Sequence, residues 1–263
     1  MNKSIGRMIQ TAATAFLLCF CVVSAALAVS PNGPDYEQPT ILTGAIYQLG
    51  SHPDRILFTF RRTSIRAGST VQVLREYLPP DGALAARERA VYENGRLVSF
   101  EVEQLQTGAK GSATLREDRL RDNRQSISFD YLAKPGARIE KKSEGPRKAV
   151  LISDMIPSFL LDHWNELTNG AAVKFRFIVL ERAETVGFKL AKESESTWRG
   201  QPVIIVKMDP TSPIIARLVD PVRFTIETQG RHRILAYSGR TTPMIKHGNT
   251  WQDLDALTVF DWK

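Results

Sequence analysis

The chain has 263 residues, 43% of them hydrophobic, a formal net charge of +7 and two cysteines. That length is ample for one hydrophobic core. Both cysteines, Cys19 and Cys21, fall in an N-terminal apolar run that reads as a removable leader, which excludes disulfides, thiolate nucleophiles and cysteine metal sites from the rest.

The leader has the three parts that export machinery reads. Lys3 and Arg7 are its positive start, "AFLLCFCVV" (15–23) its apolar centre, and Ala26 and Ala28 the small residues of an A-x-A cleavage site. The apolar run is short for a spanning helix, which needs about 20 residues. Leu17-Leu18 and Cys19-Phe20 precede the cysteines, so neither sits in a lipobox. The expectation is a signal peptide over 1–28, cleaved after Ala28, and a periplasmic protein. Removing 28 of 263 residues leaves 235, and losing Lys3 and Arg7 takes +7 to +5. In an envelope that charge faces lipid head groups rather than nucleic acid, or serves solubility alone.

"SPNGPDYEQPT" (30–40) is rich in Pro, Gly and polar residues and reads as the end of a flexible leader over 29–40, before a single β-rich domain over 41–263. From there the dominant period is two. "RILFTFRR" sets Ile56, Phe58 and Phe60 on one face, "VKFRFIVLER" sets Val173, Phe175, Phe177 and Val179 opposite Lys174, Arg176 and Ile178, and "VRFTIET" sets Val222, Phe224 and Ile226 opposite Arg223, Thr225 and Glu227. "LVSFEVEQL" and "SISFDYL" repeat the theme. Such alternation marks an antiparallel sheet with one dry face. Asn94-Gly95 is a two-residue hairpin signal; "LPPDGAL", "TQGRHR", "SGRTTP" and "KHGNT" read as further turns, and "REDRLRDNR" and "IEKKSEGPRK" as solvated loops. About nine to eleven strand-like runs result.

Two stretches break the pattern. "SDMIPSFLLDHWNELTNG" has Ser153 or Asp154 as N-cap, Pro157 in the first turn, an apolar stripe of Ile156, Leu160, Trp164 and Leu167, and a stop at Asn169-Gly170. It predicts an amphipathic helix over 154–169. "SPIIARLVDP" (212–221) reads equally as a short helix or a buried loop.

The helix carries Asp162, His163 and Glu166 within one turn. His163 and Glu166 are i, i+3 neighbours, but two ligands are too few for a zinc site, and a half-buried structural histidine is the commoner outcome. No nucleophile elbow, zinc-protease motif or phosphate loop is present, and no motif calls for a cofactor. A hydrolase would need a triad assembled in space from residues distant in sequence. No feature sets an oligomeric state.

The aromatic residues carry the functional reading. A sheet this wide has an apolar face to bury, yet the chain offers one definite helix to cover it. Large twisted sheets curl, so the expected fold is mainly β (α+β): a curved antiparallel sheet, or half β-barrel, wrapped around one or two short helices. The gap between helix and sheet would suit a hydrophobic small molecule or lipid. Its candidate contacts are Phe58, Phe60, Phe159, Trp164, Phe175, Phe177 and Phe224, and basic residues outside favour an anionic membrane surface. Two other readings stand beside it, an interaction module of an envelope complex and a hydrolase with an unrecognised site.

The signal peptide, the meandering strands with an Asn-Gly hairpin and the helix resemble, in pattern, the LolA/LolB-like lipoprotein-carrier superfamily. "HWNELTNGAAVKFRFIVLERAETVGFKL" with "RILAYSGRTTP" is similar to an uncharacterised Gram-negative family of unknown function sharing that architecture. The resemblance implies a carrier of acyl chains and transfers no individual site residue.

Overall fold

A computed structural model describes residues 37–50, 55–117, 125–217 and 219–262; residues 1–28, expected to be a signal peptide, and most of the stretch 29–40, expected to be a leader, lie outside them. Among the described residues fifteen strands form one sheet. They are β1 (Ile41–Gln48), β2 (Ile56–Ala67), β3 (Thr70–Leu78), β4 (Ala86–Glu93), β5 (Arg96–Gln104), β6 (Ala109–Glu117), β7 (Gln125–Leu132), β8 (Glu140–Arg147), β9 (Val150–Leu151), β10 (Val173–Val179), β11 (Glu184–Trp198), β12 (Gln201–Pro210), β13 (Val222–Glu227), β14 (Ile234–His247) and β15 (Thr250–Asp261).

The sheet exceeds the nine to eleven strands expected from alternation. In β6 (AKGSATLRE) and β8 (EKKSEGPR) apolar residues are too sparse for a period to show, and β8 occupies much of the stretch read as a solvated loop. "SGRTTP" is no turn either. It lies within β14, where the register with β15 shifts between Arg240 and Met244. The Asn94-Gly95 signal is realised: both residues have positive φ, and Glu93 pairs with Arg96 across the turn.

Every strand pairs antiparallel with its sequence neighbour except at three places. β1 pairs with β15, joining the two ends of the domain. β9 pairs parallel with β10. β8 and β9, consecutive in sequence, form the two edges of the sheet. The result is a curved, unclosed sheet, as the alternation predicts.

Between β9 and β10 the chain turns into the concavity. A 3₁₀ turn (Ser153–Met155) leads into α1 (Ile156–Asp162) and α2 (Trp164–Thr168). The single helix expected over 154–169 is therefore broken at His163, whose φ of −109° and ψ of 19° leave the helical region. Pro157 does fall in the first turn. Ile156, Leu160 and Leu167 are buried in the larger of two apolar clusters, with Phe129, Phe175, Leu190 and Ile226. The smaller cluster gathers Leu42, Ile46, Phe58, Phe60, Tyr77 and Leu254.

Of the two readings of 212–221, the described residues form a short helix, of the 3₁₀ kind, and not a buried loop. The helix is a single turn, Ile215–Arg217, and Ile214 is 75% exposed. The outer face of the sheet is charged, with ion pairs Arg87–Glu103 and Arg223–Glu193. A barrel embedded in lipid has the opposite arrangement, apolar outside.

Candidate functional site: an apolar cavity with a charged inner wall

The period of two carries more than aromatics to the inside. On β2 the inward positions are Phe58, Phe60, Arg62 and Ser64, all buried. On β3 they run Val71, Val73, Arg75, Tyr77, and on β4 Ala86, Glu88, Ala90, Tyr92. Three adjacent strands thus place Arg62, Arg75 and Glu88 inside the sheet. Buried charges are costly unless paired.

The segment after β9 supplies the partners. Arg62 donates from Nε and a terminal nitrogen to the two carboxylate oxygens of Asp154, at 2.6 and 3.2 Å, and Tyr92 donates its hydroxyl to the same carboxylate at 3.0 Å. The side chains of this pair are 6% and 3% exposed. Asp154 was a candidate N-cap by sequence; it makes no cap bond and instead pins the segment to β2 and β4. One residue earlier, Ser153 donates to Glu88 at 2.8 Å and also meets Arg75. Glu88 further accepts from Arg75 at 2.8 Å, from the Tyr77 hydroxyl at 3.0 Å and from Thr242 of β14.

Two cations and two anions balance, and the electrostatics follow. Burial alone would lower the Arg75 pKa, but the charge of Glu88 beside it overrides that and raises it. Arg75 also lies over the Phe60 ring, 5.1 Å from the centroid. Burial pushes the Tyr77 hydroxyl well above the usual phenol range and the Tyr237 hydroxyl up to about 12, so both stay protonated donors.

A cavity of about 640 Å³ opens between this wall, the 153–158 segment and the aromatic strands opposite. Phe60, Phe100, Phe177, Phe188, Phe224 and Phe260 line it, together with Arg62, Arg75, Glu88 and Asp154. Of the seven aromatic candidates, Phe60, Phe177 and Phe224 reach this wall. Phe58 belongs to the smaller core, and Phe175 packs between Phe159 and Phe188. Trp164 stacks on His232 at the end of the sheet, with ring centroids 4.0 Å apart. Phe58, Phe159, Trp164 and Phe175 are not among the residues lining the cavity.

Antiparallel neighbours send their turns alternately to two ends. The turns after β2, β4, β11 and β13 share the end that α2 covers through Trp164 and His232. The turns after β1, β3, β5, β7, β10, β12 and β14 share the other end. The cavity reaches that second end at Thr107, Arg182 and Asp220. Near it, burial raises the Glu181 carboxyl, Asp253 adds to the rise and Arg240 opposes it.

The trio on the helix lies apart from this cavity. His163 Nδ1 sits 3.1 Å from Glu166 Oε1, with Glu166 largely exposed. Among the described residues no three His, Cys, Asp or Glu side chains are grouped to hold a metal ion.

No family model matches the chain, and no curated protein matches it. Among solved structures, a beta-barrel-like protein of a domain of unknown function, DUF1849, from Brucella abortus is similar over 84% of this chain and 96% of its own, at 7% identity and a TM-score of 0.44.

Proposed function

We propose that the protein holds or ferries a hydrophobic, acyl-bearing molecule in the cell envelope. The observation that carries this reading is the 640 Å³ cavity, which the protein's own aromatic side chains line but do not fill. Small-molecule sites are mostly apolar clefts of about 300–1,000 Å³ with a few fixed polar groups. Here the apolar walls would take the chain, and the self-balanced wall of Arg62, Arg75, Glu88 and Asp154 would set how deep it goes. That wall reads as architecture rather than catalysis. Among the described residues Ser153 contacts an acid and an arginine and no histidine that could activate it.

The test is organic extraction and mass spectrometry of protein purified without detergent. The wild type should release a stoichiometric lipid. Val102→Trp, which pushes an indole into the cavity from β5, should retain the fold by circular dichroism and lose the lipid. An empty wild type, recovered repeatedly from its own host, overturns the reading.

A further inference from the structure

Among the described residues eight large aliphatic side chains are strongly exposed, and their placement is uneven. Leu49, Ile56, Leu105, Ile139 and Ile214 all lie at the end where the cavity reaches the turns, on the turns after β1, β5, β7 and β12 or beside them. Their exposures run from 41% to 75%. The other three, Ile41, Ile65 and Leu161, sit toward the end that α2 covers. Single exposed aliphatics are ordinary; five around one cavity end are a patch that a partner or a membrane would bury.

Charge decides between those occupants. Lys134 and Arg138 flank Pro135-Gly136 on the turn that ends at Ile139, and Arg217 follows Ile214 on the turn after β12. Each is exposed, and none of the three makes an ion pair among the described residues. Among the described residues the acids on the turns at this end are Asp81, Glu181 and Asp220, all exposed, against five exposed cations, Arg55, Lys134, Arg138, Arg182 and Arg217. Exposed aliphatics interleaved with unpaired cations match the interfacial layer of an anionic bilayer, where apolar groups enter at head-group depth and Lys and Arg meet phosphate. A protein partner would offer carboxylates for the cations but has no need of aliphatics spread over separate turns.

We propose that this end is a membrane-docking face, which sets the end of the cavity against the head groups of an anionic bilayer. The inference deepens the carrier reading by giving the route between cavity and membrane, and it rests on that reading for its purpose only.

The experiment is co-sedimentation of the purified protein with vesicles of phosphatidylglycerol and phosphatidylethanolamine, and with vesicles of phosphatidylcholine alone. The wild type should bind the anionic vesicles and fall off as salt rises. Leu105→Asp, Ile139→Asp and Ile214→Asp combined should cut binding about tenfold or more. So should Lys134→Gln, Arg138→Gln and Arg217→Gln combined, about tenfold or more, without touching an apolar group. Ile41→Asp, Ile65→Asp and Leu161→Asp combined, at the opposite end, should bind as the wild type does. Thermal melts on all variants identify any that fail to fold, and the two face variants fail independently. A wild type that ignores anionic vesicles overturns the proposal, as does equal loss in the opposite-end variant. It is also overturned if the face variants convert a dimer to a monomer in light scattering while vesicle binding stays unchanged. Lipid content measured on the same samples keeps the two readings apart: an empty wild type that docks through this face leaves docking intact and removes the carrier.

Discussion

The sheet is brought round on itself in two places that are built differently. Where β1 meets β15, backbone pairing runs from Thr43↔Asp261 to Gln48↔Ala256. Gly44 allows the close approach, since a Cβ there would lie 2.6 Å from the Val259 carbonyl oxygen. On the far side, β8 and β9 do not pair. The edge strand β8 reaches across instead with side chains: Glu144 accepts from the Thr185 amide at 2.5 Å and its hydroxyl at 2.7 Å, and Lys142 Nζ donates to the Arg182 carbonyl at 3.0 Å. The chain spends the residues between β9 and β10 on the interior segment. That segment ties β9 and β10 to β2 and β4 through Asp154 and Ser153. A ladder of backbone bonds is cooperative and hard to open locally. A few side-chain contacts are not, so the β8 side is where the wall can part.

That contrast can be broken from several directions. The largest effect should come from the interior tie. Asp154→Ala leaves Arg62 buried without its carboxylate and should cost about 3–5 kcal/mol in denaturant unfolding. The double variant Arg62→Met, Asp154→Leu should recover most of that loss, because the charge and its partner leave together.

Next come the two glycines that stand at the two junctions. Gly44→Ala pushes a methyl into backbone on the laddered side and should destabilise global unfolding by about 1–3 kcal/mol. At Gly111 of β6 a Cβ would lie 2.7 Å from that of Leu180, on the 3₁₀ turn after β10. Gly111→Ala should cost less, about 1 kcal/mol, because a turn yields where a paired strand does not. Equal losses at both sites would show the junctions to be equivalent.

A smaller effect should follow pH. Burial raises the Glu144 carboxyl, but the Thr185 amide and hydroxyl and the Arg147 guanidinium outweigh it and hold the pKa below the usual carboxylate range. A depressed acid stabilises the fold above its unfolded pKa and loses that contribution as pH falls through the folded one. Protection of the β8 amides, corrected for the slower intrinsic exchange in acid, should therefore drop as pH falls below the usual carboxylate range, while β1 and β15 stay protected. Glu144→Gln should show the weaker β8 protection already at neutral pH. Identical behaviour of β8 and β1 would remove the distinction.

The smallest effect concerns the tyrosines that face the cavity. Six tyrosines should not titrate together. Tyr77 and Tyr237 are held protonated by burial, Tyr237 up to about 12. Alkaline absorbance at pH 11 should leave these two unionised in the folded protein. A raised acid stabilises below its unfolded pKa, so stability should decline as pH climbs from there toward the folded value.

The alternation of Phe58, Phe60, Phe175, Phe177 and Phe224 made the curled sheet legible, and Pro157 with the Ile156, Leu160 and Leu167 stripe marked the inner helical segment. The charged wall was written in the same period and is easy to pass over. Arg62 stands two places after Phe60, Arg75 two before Tyr77, Glu88 two after Ala86, and charge in a strand normally signals the wet face. What no local pattern carries is the partner. Asp154 lies 92 residues from Arg62, and only the return of the chain through the concavity brings them together. The same holds for the cavity wall, where Phe188 and Phe260 arrive from strands whose alternation is weak. The break at His163 has no sequence signal beyond the residue's own modest helix propensity.

On the proposed carrier reading, an acyl chain occupies the hollow between the charged wall and the aromatic strands. Native mass spectrometry of protein taken from its host without detergent addresses it directly. A bound acyl chain should add a mass matching one lipid per chain, lost in Val102→Trp; the bare mass of the polypeptide in every preparation would rule it out.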